Sequence, residues 1–293
     1  MPIQPTYPGV YVEEIPSGVR TITGVSTSIT AFIGRTLRGT VDEPITINSY
    51  GDFERIFGGL WLNSTLGYAL RDFYLNGGSQ AIIVRLIHSK SKLPEGQAPD
   101  QGQGQVPAQT EATAKKAQLN VNGLNLEAAN EGRWGNALKV RIEYVDINVK
   151  RDAESQKLFN ITVLDKNTGQ LEVFRNVSVL PNHPRRVDKV LSNESYFVRF
   201  RDESLPTDRP GAHAQPTLDK KLWDDNDTNT KAEENSGADG DDLDVNDFTG
   251  LNKEANKQGL YALNKADLFN ILFHNFKDCD RKGKQYSCFK LSW

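Results

Sequence analysis

The stretch STLGYALRDFYLNGGSQAIIVRLI, residues 64–87, limits the choice of fold more than any other part of the chain. Ser64 or Thr65 is placed to cap a helix, and Leu66, Ala69, Leu70 and Phe73 recur behind it at helical spacing. Asn76-Gly77-Gly78 ends that helix, because these residues accept the left-handed backbone common just past a helix C-terminus. Ala81 to Ile87 follows at once, apolar throughout except for Arg85. A strand without polar alternation is built to be covered on both faces. A helix that feeds straight into such a strand belongs to an α/β layer.

The sequence upstream extends this layer. Ser26 to Thr36 thickens into a buried strand around Ala31-Phe32-Ile33, closed by Gly34. A second short strand covers Ile45 to Ile47. Ser49 then caps a short helix over Tyr50 to Phe57, with Asp52 at the capping-box position and Gly58-Gly59 as the stop. Residues 1–24 read as an extended arm. Tyr7, Val10, Tyr11, Val12 and Ile15 are strand formers among prolines, followed by the turn Pro16-Ser17-Gly18, and no hairpin partner lies nearby. The arm is therefore expected to make few contacts with its own chain.

Composition changes twice downstream. Residues 88–117 are rich in Gln, Gly, Pro, Ala and Lys and read as a linker that cannot bury enough surface to order itself. Residues 118–203 return to alternating patterns. Asn122-Gly123 is a strong hairpin signal. Leu138, Val140, Ile142 and Tyr144 alternate with Lys139, Arg141 and Glu143, and Val187, Val190 and Leu191 mark a short helix. This segment is expected to form a small β-barrel or β-sandwich, inserted in the α/β layer. Residues 204–258 are read as an acidic variable loop, with eleven acidic and three basic residues between Asp219 and Asp247. Residues 259–272 return to the core.

The chain has 293 residues and a formal net charge of -3, which gives no reason to expect nucleic-acid binding. Its longest apolar runs are too short to span a bilayer, so no direct membrane insertion is expected. Cys279 and Cys288 have neither a disulfide framework nor a zinc spacing, and the chain reads as a soluble protein of a reducing cytoplasm. His88, His183, His213 and His274 stand far apart and read as ordinary surface or loop histidines. No nucleophile elbow, P-loop or dinucleotide fingerprint follows any strand, so no enzyme activity and no cofactor are expected. Asp225 to Thr230 opens like a calcium loop, but Thr230 stands at the sixth position and Ser236 at the twelfth, so the EF-hand pattern fails. The stretch DGDDLDVND reads as a solvated acidic loop, and no metal ligand is assigned.

Four stretches, taken in order, resemble the tail sheath proteins of contractile bacteriophages and phage-tail-like injection systems. These are PTYPGVYVEEI at the start, ALRDFYLNGGSQAIIVRL, GRWGNALKV and DLFNIL. The resemblance implies an α/β sheath core with an extended N-terminal arm and an inserted β domain. It implies that Val10, Tyr11, Val12, Glu13, Glu14 and Ile15 form a subunit interface by adding a strand to a neighbour's sheet. Asn76, Gly77, Gly78, Trp134, Gly135 and Asn136 become structural motif residues. The implied partners are other sheath subunits in a helical homo-oligomer, an inner tail tube protein and a baseplate. The implied location is a virion tail or phage-tail-like particle assembled in the bacterial cytoplasm. The other reading of the residues is a β-rich carbohydrate-binding or adhesin module with a calcium-binding acidic loop.

The resemblance ends at Leu272. The residues after it carry both cysteines and five basic residues, and no helix or strand period runs through them. They read as an atypical tail, either a short basic segment docked on the acidic loop or the mark of a truncated copy unable to assemble alone. The second reading is preferred. It predicts an α/β layer with an apolar face left open, because only one long and one short helix precede the inserted segment.

Overall fold

Local sequence signals become elements where packing supports them. A computed structural model describes residues 29–88, 113–144, 158–217 and 222–274. Strand β1 (Ile29–Gly34) is buried at every residue, and β2 (Pro44–Ile47) follows a short loop. Helix α1 (Tyr50–Phe57) starts where the Ser49 side chain accepts the Asp52 N–H and stops at Gly58, whose φ is 88°. Helix α2 (Leu66–Leu75) begins at Thr65, but it is Ser64 Oγ that accepts the Leu66 N–H, at 3.3 Å. Strand β3 (Gln80–Arg85) runs parallel to β1, with Ala31 opposite Ile82 and Ile33 opposite Val84.

The chain then leaves this layer. Hairpin strands β4 (Gln118–Val121) and β5 (Leu124–Ala128) turn at Asn122 and Gly123, both at positive φ, as an Asn-Gly turn requires. Strands β6 (Leu138–Tyr144), β7 (Phe159–Asp165) and β8 (Leu171–Val177) form an antiparallel meander. Helix α3 (Val187–Glu194) buries Val187, Val190 and Leu191, and β9 (Val198–Phe200) pairs with β5. The short β10 (Thr230–Lys231) pairs with β6. The two sheets, β10-β6-β7-β8 and β4-β5-β9, share one apolar core with Leu126, Ile142, Ile161 and Phe174. They do not hydrogen-bond into a closed cylinder, so the barrel alternative is corrected. β10 is two residues long, and no described strand carries the ladder from one sheet to the other.

Helix α4 (Val245–Thr249) and β11 (Ile271–His274) bring the chain back. β11 lies parallel to β1, giving the order β11-β1-β3-β2. One face of this sheet packs on α1 and α2 through Phe32, Phe53, Phe57, Leu66, Leu70 and Ile83. The opposite face, with Ala31, Ile33, Ile82 and Val84, is covered by Phe248 of α4 and by Ala262 and Leu263 of a 3-10 turn (Gly259–Lys265). The apolar face expected to stay open over β1 and β3 is thus covered by α4, from the segment expected to be an acidic loop, and by the 3-10 turn, from the segment expected to return to the core. The described chain is mixed α+β, with an α/β lobe and a β-rich lobe.

Candidate functional site

Two buried arginines join the two lobes. Arg85, the last residue of β3, donates from Nη1 to Gly39 O at 2.7 Å and from Nε to Thr36 O, both in its own lobe. Its Nη2 reaches Glu131 O at 2.7 Å, in the β-rich lobe. Burial lowers its pKa to about 10, with Glu131 and Asp239 pulling the other way, so the guanidinium stays charged at neutral pH.

Arg38 makes the second link. Its side chain is 2% exposed. Nη1 pairs with Asp165 Oδ2 at 3.2 Å, at the end of β7. Nη2 donates to Arg55 O at 2.9 Å and to Gln170 Oε1 at 3.0 Å. Arg55 O belongs to the C-terminal turn of α1, where the helix carries partial negative charge. The guanidinium also lies over the rings of Phe197 and Trp134, 5.0 and 5.8 Å from their centroids. Burial lowers the Arg38 pKa, opposed first by Asp165 and then by Glu172. Arg38 thus ties α1, the β7–β8 turn and two aromatics of the β-rich lobe to one point.

The expected motif residues take structural roles. Asn76 caps α2, with its backbone N–H and its Nδ2 both donating to Asp72 O. Gly77 has φ 89° and open space, so it serves conformation. Gly78 serves fit, because a Cβ there would lie 2.4 Å from the Phe73 ring. Trp134 is buried and donates from Nε1 to Glu131 O at 3.3 Å. A Cβ on Gly135 would lie 2.7 Å from Ala117 Cβ and 2.8 Å from Ala128 Cβ. Asn136 binds Gly237 at both ends, donating to its O at 2.9 Å and accepting its N–H at 2.8 Å. The Asn136 clasp fastens the acidic segment to the β-rich lobe. Val10, Tyr11, Val12, Glu13, Glu14 and Ile15 lie outside the described residues.

Two histidines depart from the surface reading. His213 is buried and acts as a strand partner of β6. Its backbone N–H donates to Ile142 O at 2.9 Å, and its Nδ1 accepts the Ile142 N–H at 3.0 Å. Burial lowers its pKa, and the nearby Arg141 charge adds to that. His88 is buried with its Nδ1 2.9 Å from Asp247 Oδ2. Asp247 and Asp244 form the capping box of α4. His88, Asp244 and Asp247 are the cluster of metal-ligating types among the described residues, but the capping box already explains the two carboxylates. The DNDTNT stretch contributes nothing to it. Arg141, which alternates with the apolar residues of β6, is also buried. It donates to Ala214 O, Thr228 O and Glu143, with residues 214–217 and 222–228 beside it.

A cleft of about 250 Å³ lies near the lobe boundary, lined by Arg55, Gln170, Leu171, Glu172, Tyr196 and Phe197. Burial raises the Glu172 pKa, and its oxygens accept from Ser195 Oγ and the Tyr196 N–H. No described helix is long and apolar enough to cross a membrane.

No family model matches the sequence, and a search of curated proteins finds no match. Among solved structures, the chain is similar to a sheath tail protein of Listeria innocua, at 14% identity and a TM-score of 0.41, over 75% of this chain and 36% of that one. It is also similar to a sheath tail protein of Desulfitobacterium hafniense, at 15% identity and a TM-score of 0.40, over 80% of this chain and 40% of that one. The chain thus spans well under half the length of either structure.

Proposed function

We propose that the chain is a structural subunit of a phage-type tail sheath, joined helically to other copies around an inner tube. One observation carries this reading. Three of the four resembling stretches, far apart in sequence, assemble into one framework beside β1. ALRDFYLNGGSQAIIVRL supplies α2 and β3, DLFNIL leads into β11, and GRWGNALKV meets that sheet through Glu131, the residue before it, whose carbonyl accepts from both Arg85 and Trp134. The motif residues serve joints and close packing rather than a reactive pocket, which suits a protein that works by shape and pairing.

In this reading Val10–Ile15 leaves its own subunit and adds a strand to a neighbour's sheet. Main-chain hydrogen bonds supply the affinity, each worth about 0.5–1.5 kcal/mol net. A contact of this kind that does not close generates an open tube. Contraction is then a rearrangement of rigid subunits about linked arms, driving the tube through a target envelope. The tube and a baseplate are the remaining partners, and the tail of a particle assembled in the bacterial cytoplasm is the location.

Immunogold negative-stain microscopy of lysates from producing cells tests the assignment. Antibody against this chain is expected to label the shafts of tail-like particles. Labelling that is absent from every shaft overturns it.

A further inference from the structure

The edge of β6 away from β7 is covered in two pieces. β10 pairs with Lys139 and Val140, and residues 209–214 continue along the same edge as a strap. Arg209 lies over the Tyr144 ring, 3.5 Å from its centroid, and Tyr144 Oη donates to Pro210 O at 3.2 Å. Asn122 Nδ2, in the β4–β5 turn, donates to Gly211 O at 2.7 Å. Ala214 O accepts from Arg141 Nη1 at 2.8 Å, and the Ala214 N–H donates to Asp227 O at 3.1 Å. His213 sits in the middle of the strap. It is buried, whereas Gly211, Ala212, Ala214 and Gln215 are exposed, so the histidine is the anchor. Its N–H donates to Ile142 O as a paired strand residue would. The Ile142 N–H, however, returns to the ring nitrogen Nδ1 rather than to a carbonyl.

That exchange fixes the state of the ring. Because Nδ1 accepts, the imidazole is neutral and its proton sits on Nε2, which donates to Thr230 Oγ1 at 2.9 Å. A carbonyl accepts at any pH, whereas an imidazolium carries two N–H groups and accepts nothing. We propose that residues 209–214 are an acid-released strap: protonation of His213 sets its Nδ1–H against the Ile142 N–H, the pair parts, and the β6 edge at Ile142 is uncovered. The charged groups on the elements packed here are Arg141 and Glu143 of β6, Lys231 of β10, Asp227 ahead of it and Arg209 of the strap itself. Burial opposes a charge on the ring first, and the Arg141 guanidinium, held by Glu143 at 2.7 Å, adds to that. Release into water relieves both. The uncovered Ile142 N–H and C=O then form an open ladder to which another strand can add. The proposal is independent of the sheath reading.

Hydrogen–deuterium exchange on the full chain tests it, read residue by residue at pH 7.5 and 5.5 and corrected for the intrinsic exchange rate. In the released strap the ring titrates at its ordinary 6.5, so one pH unit lower protonation favours release by up to about tenfold. The Ile142 and His213 amides are expected to lose about five- to tenfold of their protection at pH 5.5, while the amides of β7 keep theirs. In His213→Asn, whose amide oxygen accepts without titrating, Ile142 protection is expected to be the same at both pH values. Nitrogen NMR of the histidine rings in the wild-type chain gives a second measurement, so a variant that fails to fold cannot decide the outcome. It is expected to show the Nε2–H tautomer for His213 at pH 7.5 and a titration midpoint that coincides with the loss of Ile142 protection. Ile142 protection that ignores pH, falls equally in His213→Asn, or falls together with that of β7 overturns the proposal. A neutral ring protonated on Nδ1 overturns it too.

Discussion

Replacing Arg38 by methionine removes one guanidinium and separates the lobes' contributions to stability. Methionine keeps most of the apolar stem against Phe197 and Trp134, so the loss falls on the charged end. Taking one partner from a buried ion pair costs about 3–5 kcal/mol. Asp165 keeps two other donors, Thr168 Oγ1 at 2.9 Å and the Asn167 N–H at 3.0 Å, and the lower end of that range applies. The expected cost is therefore about 3 kcal/mol, or about 6–12 °C in Tm for a chain of this size. Arg38→Met/Asp165→Asn should cost less than the sum of the single changes, with a coupling of about 2 kcal/mol, because no buried charge is left alone. Urea unfolding followed by far-UV circular dichroism and by tryptophan fluorescence measures both quantities, since Trp134 lies beside the guanidinium. An Arg38→Met chain within about 0.5 kcal/mol of wild type would refute the reasoning. Strict additivity in the double variant would refute it as well.

Three further outcomes are expected. His213 has a folded pKa below its ordinary 6.5, so its neutral form is favoured in the fold. Its contribution is complete above pH 6.5 and is lost as pH falls through the lower folded value. The Tm should drop between pH 7 and 5.5, and His213→Asn, which keeps an acceptor for the Ile142 N–H, should flatten that slope. A slope unchanged by the substitution excludes His213 as its source. Gly135→Ala forces a methyl against Ala117 and Ala128 and should cost about 1–3 kcal/mol, read as a shift in urea midpoint. Leu62→Ser lies at a residue 86% exposed and should change stability by less than about 0.5 kcal/mol in the same assay.

The α/β layer was legible because its signals are local. Ser49, Gly58 and Asn76-Gly77-Gly78 set helix ends whatever the rest of the chain does. The Ala81 to Ile87 run, apolar but for Arg85, announced burial on both faces, and Asn122-Gly123 announced its hairpin. The lobe boundary was not legible, because Arg38 and Arg85 look like any arginine near a loop until Asp165 and Glu131 are brought against them. The same holds for Arg141 and His213, whose burial depends on Ala214 and Thr228 meeting Arg141 and on His213 pairing with Ile142 of β6. The 204–258 segment misled by composition. Its acidic groups stay mostly outward, while Thr228, Asn229, Ala232 and Phe248, few and scattered, are enough to anchor it.

The pairing of β1 with β11 sets an order of events during synthesis. The Ile29 N–H and Asn270 Oδ1 meet across 241 positions of sequence. A ribosome releases nearly all the described chain before β1 gains that neighbour. The β-rich lobe, whose strands β4 to β9 are contiguous, can consolidate while the α/β sheet still waits with one side of β1 bare. Long-range parallel pairing of this kind is slow, and the waiting strand is the part most exposed to wrong partners. Ile29 to Ile33 is apolar and β-branched at three of its five positions, Ile29, Thr30 and Ile33. The nascent chain is therefore most vulnerable to aggregation in the interval between the emergence of β3 and that of β11, and a holdase acting in that interval would raise its soluble yield more than one acting after release.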